Sequence, residues 1–295
     1  MTECARSNKR SVPAYQFSRR PRRMKHMRSC ALAVVACLLT ASSVRTLALR
    51  ADDDLRLSHV ATTPVIVELF TSEGCSDCPS ADIVLAKLVA EQPIDGADVI
   101  GLGEHVDYWD QLGWKDRFSS AALTKRQQAY GAQFHLDSVY TPQMVVDGRA
   151  QFVGSDGVAA RKAIERAVAV SHASLTIRID STSARAAAAT VTVADVPRLG
   201  RGDHADIYIA VTEDRITTDV KRGENRGRTL THAAVVRSMT TIGQVEAEGH
   251  VSARAEIPLA ADWKRDRLKI VAFVQEQRGR AILASAAVPL PTVPR

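Results

Sequence analysis

The stretch Pro64-Val-Ile-Val-Glu-Leu-Phe-Thr-Ser-Glu-Gly-Cys75-Ser-Asp-Cys78-Pro-Ser-Ala-Asp82 decides how the rest of the chain is read. Val65, Ile66, Val67, Leu69 and Phe70 make a short, apolar, β-branched run, the pattern of a strand covered on both faces. After Cys78 the period changes. Ala81, Val84, Leu85 and Leu88 fall at helical spacing, with Asp82, Lys87 and Glu91 off that stripe. Ser72, Glu73 and Gly74 mark the break, so the spacing predicts a strand, a turn carrying Cys75 and Cys78, and a helix. Unpaired backbone N–H groups and the helix dipole favour a thiolate at such a helix start.

Three chemistries compete for the pair. Structural zinc needs two further ligands at short spacing. The other cysteines, Cys4, Cys30 and Cys37, lie in an N-terminal leader, and no closely spaced His pair follows. An inert disulfide closing so small a loop constrains the unfolded chain little. Redox exchange fits the strand-to-helix context best. On that reading Cys75, the first and less enclosed sulfur, is the nucleophile, and Cys78 resolves the mixed disulfide. Asp77 between them opposes a thiolate, which suits a reductase or isomerase more than a strong oxidant. Glu68 is an acid inside an apolar strand. Desolvated below the sulfurs it could take the proton of Cys78; facing solvent or a salt-bridge partner it would not.

Residues 1–48 read as a secretory leader: a basic start, an apolar run from Cys30 to Leu39 too short to span a membrane, then the small residues Thr40, Ala41, Ser42 and Ser43, with cleavage expected after Ala48. Residues 49–61 read as a polar linker. The chain has 39 Lys and Arg against 33 Asp and Glu, but ten of those bases and one acid precede residue 49, so 29 bases and 32 acids remain. The basic balance of the full chain is therefore no argument for nucleic acid. The expected mature protein is periplasmic or extracellular, not integral to a membrane. Its partner is a protein or small thiol or disulfide. Lacking any thiol besides Cys75 and Cys78, it has no disulfide framework, which favours a chemical role for the pair.

A second buried strand is expected over residues 97–103, ending at Glu104-His105, and a helix from Ser119 to about Phe134. Half of the aromatic residues, Trp109 and Tyr140 among them, fall between 105 and 140, a density that suits a substrate-facing wall or equally a packed excursion. Thr141-Pro142-Gln143 opens a β run, Asp147-Gly148 signals a hairpin turn, and Ser155 or Asp156 caps a further helix. This order, with Cys75-Ser-Asp-Cys78 and Thr141-Pro142, resembles a thioredoxin-like domain over residues 62–171. The resemblance implies that Pro142 is a cis proline against the sulfurs and that Thr141 offers backbone to a substrate. The fuller string, Glu68 to Asp82 with Val139-Tyr-Thr-Pro-Gln143 and Val146-Asp-Gly148, is similar to a secreted bacterial family known as domain of unknown function 1223, a resemblance that extends to the second half. Trp109, Tyr140 and Gln143 are the candidate substrate contacts.

From residue 172 on, alternation over 174–180, 189–193, 205–211, 251–257, 268–275 and 282–288 predicts an antiparallel β-sandwich of seven or eight strands. His232, in the distinctive stretch Gly223–Val236, suits a ligand or a hydrogen-bonded packing residue. The expected fold is thus an α/β thioredoxin-like domain followed by an all-β sandwich-like domain. The expected function is exported thiol–disulfide oxidoreduction with a redox-active disulfide and no other cofactor. Two alternatives remain: copper handling through Cys75, Cys78 and His105, and a non-catalytic partner-binding module.

Overall fold

The computed structural model describes residues 62–245 and 250–291, so the expected leader (1–48) and linker (49–61) lie outside the described residues. The described residues belong to one compact unit. Its first half holds β1 (Thr63–Thr71), α1 (Cys78–Glu91), β2 (Ala97–His105), α2 (Ala121–Gln133), β3 (Gln143–Val146), β4 (Ala150–Val153) and α3 (Gly157–Val168). The second half holds β5 (Ser174–Thr182), β6 (Ala186–Ala194), β7 (Ala205–Glu213), β8 (Ile216–Asp219), β9 (Thr229–His232), β10 (Val235–Val245), β11 (Val251–Pro258), β12 (Leu268–Glu276) and β13 (Ile282–Pro289).

Local signals placed these elements. Ser120 caps α2 by accepting from the Leu123 N–H, and Asp156 caps α3 by accepting from the N–H groups of Val158 and Ala159. Asp147 and Gly148 take φ values of 47° and 64°, the left-handed pair that a tight hairpin turn between β3 and β4 requires. Pro79 at the start of α1 lacks the N–H that a helix start leaves unpaired in any case.

The expected fold class needs correction. An α/β thioredoxin-like domain followed by a separate sandwich is not what the chain builds. The described residues are mostly β with three α-helices, and one mixed eight-stranded sheet runs through both halves in the order β13-β12-β7-β10-β2-β1-β3-β4. The join is β10 against β2, parallel, with Val235 opposite Gly103 and the Gly103 N–H donating to the Ala234 carbonyl at 2.8 Å. A strand edge left by the first half is thereby paired rather than exposed. A second layer of three strands, β11-β6-β5, packs Ala187, Ala189, Val191 and Val193 against Ile207, Ile209, Ile270 and Val274 of the large sheet. The strands expected of a sandwich exist, but one of its layers is the continuation of the first half's sheet.

Further ties cross the point where a joint was expected. His172 Nε2 lies 3.0 Å from Asp147 Oδ2, and the Ile282 N–H donates to the Asp147 carbonyl. No helix among the described residues is long and apolar enough to cross a membrane.

Gly103 is the residue the join can least afford to enlarge. A Cβ there would sit 3.0 Å from the Ala233 carbonyl oxygen and 3.4 Å from that of Ala234, both backbone atoms that cannot turn aside. Gly103→Val should therefore lower stability by about 1–3 kcal/mol, the usual cost of overpacking a fitted interior. Urea unfolding followed by circular dichroism should show a lower midpoint than a substitution on the exposed face of α3. An unchanged midpoint would mean that the β2–β10 contact does not hold the halves together.

Candidate functional site

Cys75 and Cys78 form a disulfide with their Cα atoms 5.4 Å apart, at the turn between β1 and α1. Helix α1 begins at Cys78, so Cys75 stands just outside it and Asp77 occupies the cap position without a side-chain capping bond. The turn is closed by the Cys75 N–H donating to the Ser72 carbonyl and the Cys78 N–H donating to the Cys75 carbonyl. Neither sulfur is open: Cys75 is 2% exposed and Cys78 is fully buried.

Three segments cover the pair. The Thr141 carbonyl oxygen lies 3.9 Å from Cys75 Sγ, and the Thr141–Pro142 bond is cis. Half-buried Trp109 donates its indole N–H to Thr141 Oγ1 at 2.8 Å, which fixes the ring next to that segment. The third cover comes from the second half. Asn225, fully buried between β8 and β9, donates its amide to the carbonyls of Glu73 (2.9 Å) and Cys75 (2.8 Å), and the Glu224 carboxylate accepts from the Ser76 N–H at 3.0 Å. Arg228 in turn donates to Asn225 Oδ1 and orients it.

Behind the cystine lies a buried cluster of acids and imidazoles. Alternation along β1 and β2 sends Thr71 and His105, which are opposite each other in register, to the face that also carries Val65, Val67 and Leu69 and receives α1. Asp82 on α1 accepts from the Thr71 hydroxyl at 3.2 Å. His232, at the end of β9, reaches in between Asp82 Oδ2 (3.3 Å) and Glu73 Oε1 (3.5 Å). These are ion-pair distances without hydrogen-bond alignment, and both ring nitrogens lack a well-aimed acceptor. Glu73 is also held by the Trp114 indole N–H at 2.7 Å. His105 pairs through Nδ1 with Asp116 at 2.6 Å, and its ring meets that of His232 edge to face at 4.8 Å. Burial favours the neutral acid at Asp116, but His105 and the N–H groups of Glu73 and Phe118 hold it down to about 2. Burial likewise works against a charged His232, yet Asp82 and Glu73 outweigh it and hold the ring up at about 10.

Glu68 faces the other way. It shares the opposite face of the sheet with Ile66 and Phe70, where α2 packs, and is bound by Arg126 Nε at 2.6 Å and by the Tyr130 hydroxyl. Glu104 lies beside it, 3.4 Å from the same guanidinium nitrogen. Burial favours the neutral acid at both carboxyls. Arg126 nevertheless holds Glu68 low, while Glu104, crowded by the charge of Glu68, is pushed well above the usual range. The arrangement sets two acids against one guanidinium, completed by Gln275 from β12, which accepts from Arg126 and donates to the Tyr130 hydroxyl. The sheet thus stands between Glu68 and α1, the helix that Cys78 opens, and Glu68 has the salt-bridge partner weighed for it.

The structure therefore brings Cys75, Cys78, Thr141, Pro142 and Trp109 together. Gln143 is buried on the Glu68 face, accepting from Gln127 and donating to Gln151, while Tyr140 donates its hydroxyl to Gln151. His105 is taken up by Asp116. Among the described residues no group of three or more His, Cys, Asp or Glu side chains is gathered as a metal site. Residues that sequence reasoning did not single out are Glu73, Asp82, Asp116, Glu224 and Asn225. Only Asp82 carried a usable signal, an acid one helical turn after Cys78 and so on the same helix face.

The raised His232 has a pH consequence. Protonation of His232 contributes stability that is complete below about pH 6.5 and is lost as pH rises through about 10. Unfolding free energies measured from pH 6.5 to 10 should fall by about 2–4 kcal/mol. His232→Gln should flatten this slope, whatever its effect on stability at pH 6.5. Equal slopes in the two proteins would mean that the ring is not charged in the fold.

No curated protein matches the chain. The solved structure of protein AGR_C_4864 from Agrobacterium tumefaciens is 26% identical and superposes with a TM-score of 0.60, covering 79% of this chain and 97% of that one. A domain of the outer membrane lipoprotein Omp28 from Porphyromonas gingivalis is 12% identical, with a TM-score of 0.26 over 41% of this chain and 89% of that one. The family model described as "Protein of unknown function (DUF1223)" matches residues 66–275, from within β1 to within β12, and the chain belongs to that family.

Proposed function

We propose that the protein is an exported thiol–disulfide oxidoreductase of the reductase or isomerase type, acting through Cys75 and Cys78. The observation that carries this reading is the setting of the bridge. It closes the joint between a buried strand and the first turn of a helix, with the Thr141 carbonyl 3.9 Å from Cys75 Sγ and an acid–imidazole cluster behind it.

The chemistry balances with an external dithiol as electron donor. That donor first reduces the bridge to two thiols. The Cys75 thiolate then attacks one sulfur of a substrate disulfide, forming a Cys75–substrate bond and expelling the other substrate sulfur as a thiolate. Cys78, once deprotonated, attacks Cys75 Sγ, the mixed disulfide breaks, and the substrate leaves as a second thiolate. The Cys75–Cys78 bond reforms, and two electrons have passed from the dithiol to the substrate. Asp82, four residues after Cys78 and paired with His232, suits the role of proton acceptor in which Glu68 was considered. Asp77 and Glu224 place carboxylates beside the turn and disfavour a thiolate at Cys75. This supports the reducing direction.

Cys75→Ser should abolish turnover of insulin disulfides in the presence of dithiothreitol, because no nucleophile remains. Cys78→Ser should accumulate mixed disulfides, because nothing resolves them. Trapping by Cys75→Ser but not by Cys78→Ser would exchange the two roles, and wild-type protein with no insulin reduction above buffer would remove the activity.

The buried Asn225 amide holds the cover in place through two carbonyls, so Asn225→Ala should speed reduction of the bridge by dithiothreitol. The expected gain is about tenfold, the worth of one or two buried hydrogen bonds. Thiol alkylation followed by mass measurement reads the rate directly. An unchanged rate would show that the segment does not limit access.

A further inference from the structure

On the Glu68 face of the sheet, α2 and β10 enclose a groove of about 740 Å³, a size typical of small-molecule sites. Five cationic side chains, Arg117, Lys125, Arg126, Arg237 and Arg280, line it together with the rings of Phe118 and Trp263, and no Asp or Glu is among its lining residues. The cations are not equally free. Arg126 is spent on Glu68 and Glu104. Arg237 gives one nitrogen to Glu213 at 3.0 Å and has Asp262 at 3.6 Å from another. Among the described residues Arg117, Lys125 and Arg280 have no carboxylate partner; Arg117 reaches only the Thr217 carbonyl at 3.5 Å, and Arg280 Nε is buried without a hydrogen-bond acceptor.

The geometry holds like charges close. Arg117 and Arg237 pack against the same Phe118 ring, 4.6 and 5.1 Å from its centroid, and Arg237 also lies 5.2 Å from the centre of Trp263. Burial counts most against the charge on Arg237; Glu213 and Asp262 favour it, and the nearby Arg117 adds a smaller repulsion. The first turn of α2 borders the same groove and carries no acid, so its dipole adds to the positive field. Stacking restricts the two guanidinium planes, and such planes match the flat fork of an oxyanion.

We propose that this groove is a binding site for a small, flat organic oxyanion. Its carboxylate or phosphate would meet Arg117, Lys125 and Arg237, and its ring or apolar body would lie against Trp263. An anion there gives Arg117 and Lys125 the counter-charge that no carboxylate among the described residues supplies, and the aromatic wall selects against bare inorganic ions. The site is separate from the cystine and does not depend on the redox reading: the Cys75→Ser protein should bind the same anions.

Calorimetric titration of the full chain at low salt, with phthalate, phenyl phosphate, inorganic phosphate and neutral benzamide as probes, tests the proposal. Phthalate or phenyl phosphate should bind saturably, and the tighter of the two identifies carboxylate or phosphate as the preferred head group. Benzamide should not bind, and inorganic phosphate should bind more weakly than the aromatic anions. Replacing the exposed pair, Arg117→Gln with Lys125→Gln, should weaken the better anion by about tenfold or more. Trp263→Leu should weaken it while leaving the residual affinity for inorganic phosphate unchanged. Absence of saturable binding of both aromatic anions up to about 10 mM would overturn the proposal. So would inorganic phosphate binding as tightly as phenyl phosphate, or affinity indifferent to loss of Arg117 and Lys125.

Discussion

The approach of β10 to β2 at Gly103 is the contact on which the rest of the structure depends. It is short in sequence, one register pair and the Gly103–Ala234 hydrogen bond of 2.8 Å, but it sets where everything after β9 can go. With β10 beside β2, His232 at the end of β9 falls into the space behind α1, and the loop before β9 falls across the Cys75–Cys78 turn. The same placement brings Arg237 and Trp263 opposite α2 and closes the basic groove. A wider β2 would separate these three features from the first half together.

The sheet keeps two buried charge clusters apart. On the α1 face, Asp82, Glu73, His105, Asp116 and His232 form pairs in which each imidazole is matched by carboxylates. On the α2 face, Glu68 and Glu104 face one guanidinium, and burial, then the charge of Glu68, pushes Glu104 well above the usual carboxylate range. Removing one partner of such a buried pair costs about 3–5 kcal/mol, since the other charge is left desolvated. Period-two alternation in β1 and β2 sorts the clusters. Glu68 and Glu104 point one way, Thr71 and His105 the other, so proton transfer on one face does not draw on the acids of the other.

How much of this was legible depended on range. Strands β8, β9 and β10 were not expected from the sequence. The strand, turn and helix around Cys75 and Cys78, a cap at Ser155 or Asp156, the Asp147–Gly148 turn and strands β5, β6, β7, β11, β12 and β13 follow from neighbours within a few residues. The pairing of β10 with β2 does not, because nothing in Val235-Val236-Arg237-Ser238 names its partner strand. That single unreadable register turned an expected two-domain chain into one sheet. The face of Glu68 was ambiguous for a related reason. Val65, Val67 and Leu69 on one side and Ile66 and Phe70 on the other are equally apolar, so composition does not say which side carries α1. Glu224 and Asn225 sit in a polar loop whose residues look like any solvated turn; only the fold shows their amide and carboxylate satisfying the backbone of the cysteine turn.

Covering the cystine has a chemical consequence. Sulfur exchange needs the attacking sulfur to approach along the bond being broken, and a pair that is 2% and 0% exposed offers no such line in the conformation seen. The cover is built from groups that a bound peptide could replace in kind. Asn225 donates to the Glu73 and Cys75 carbonyls, and Glu224 accepts from the Ser76 N–H, which together are one stretch of backbone with its donors and acceptors occupied. A substrate chain laid along the same stretch would restore those bonds while displacing the loop, so the net cost of opening would be far below that of leaving buried polar groups unpaired. The loop leads into β9, whose last residue, His232, lies between Asp82 and Glu73. One short segment of the second half thus both covers the cysteine turn and leads into the strand that carries His232 to Asp82.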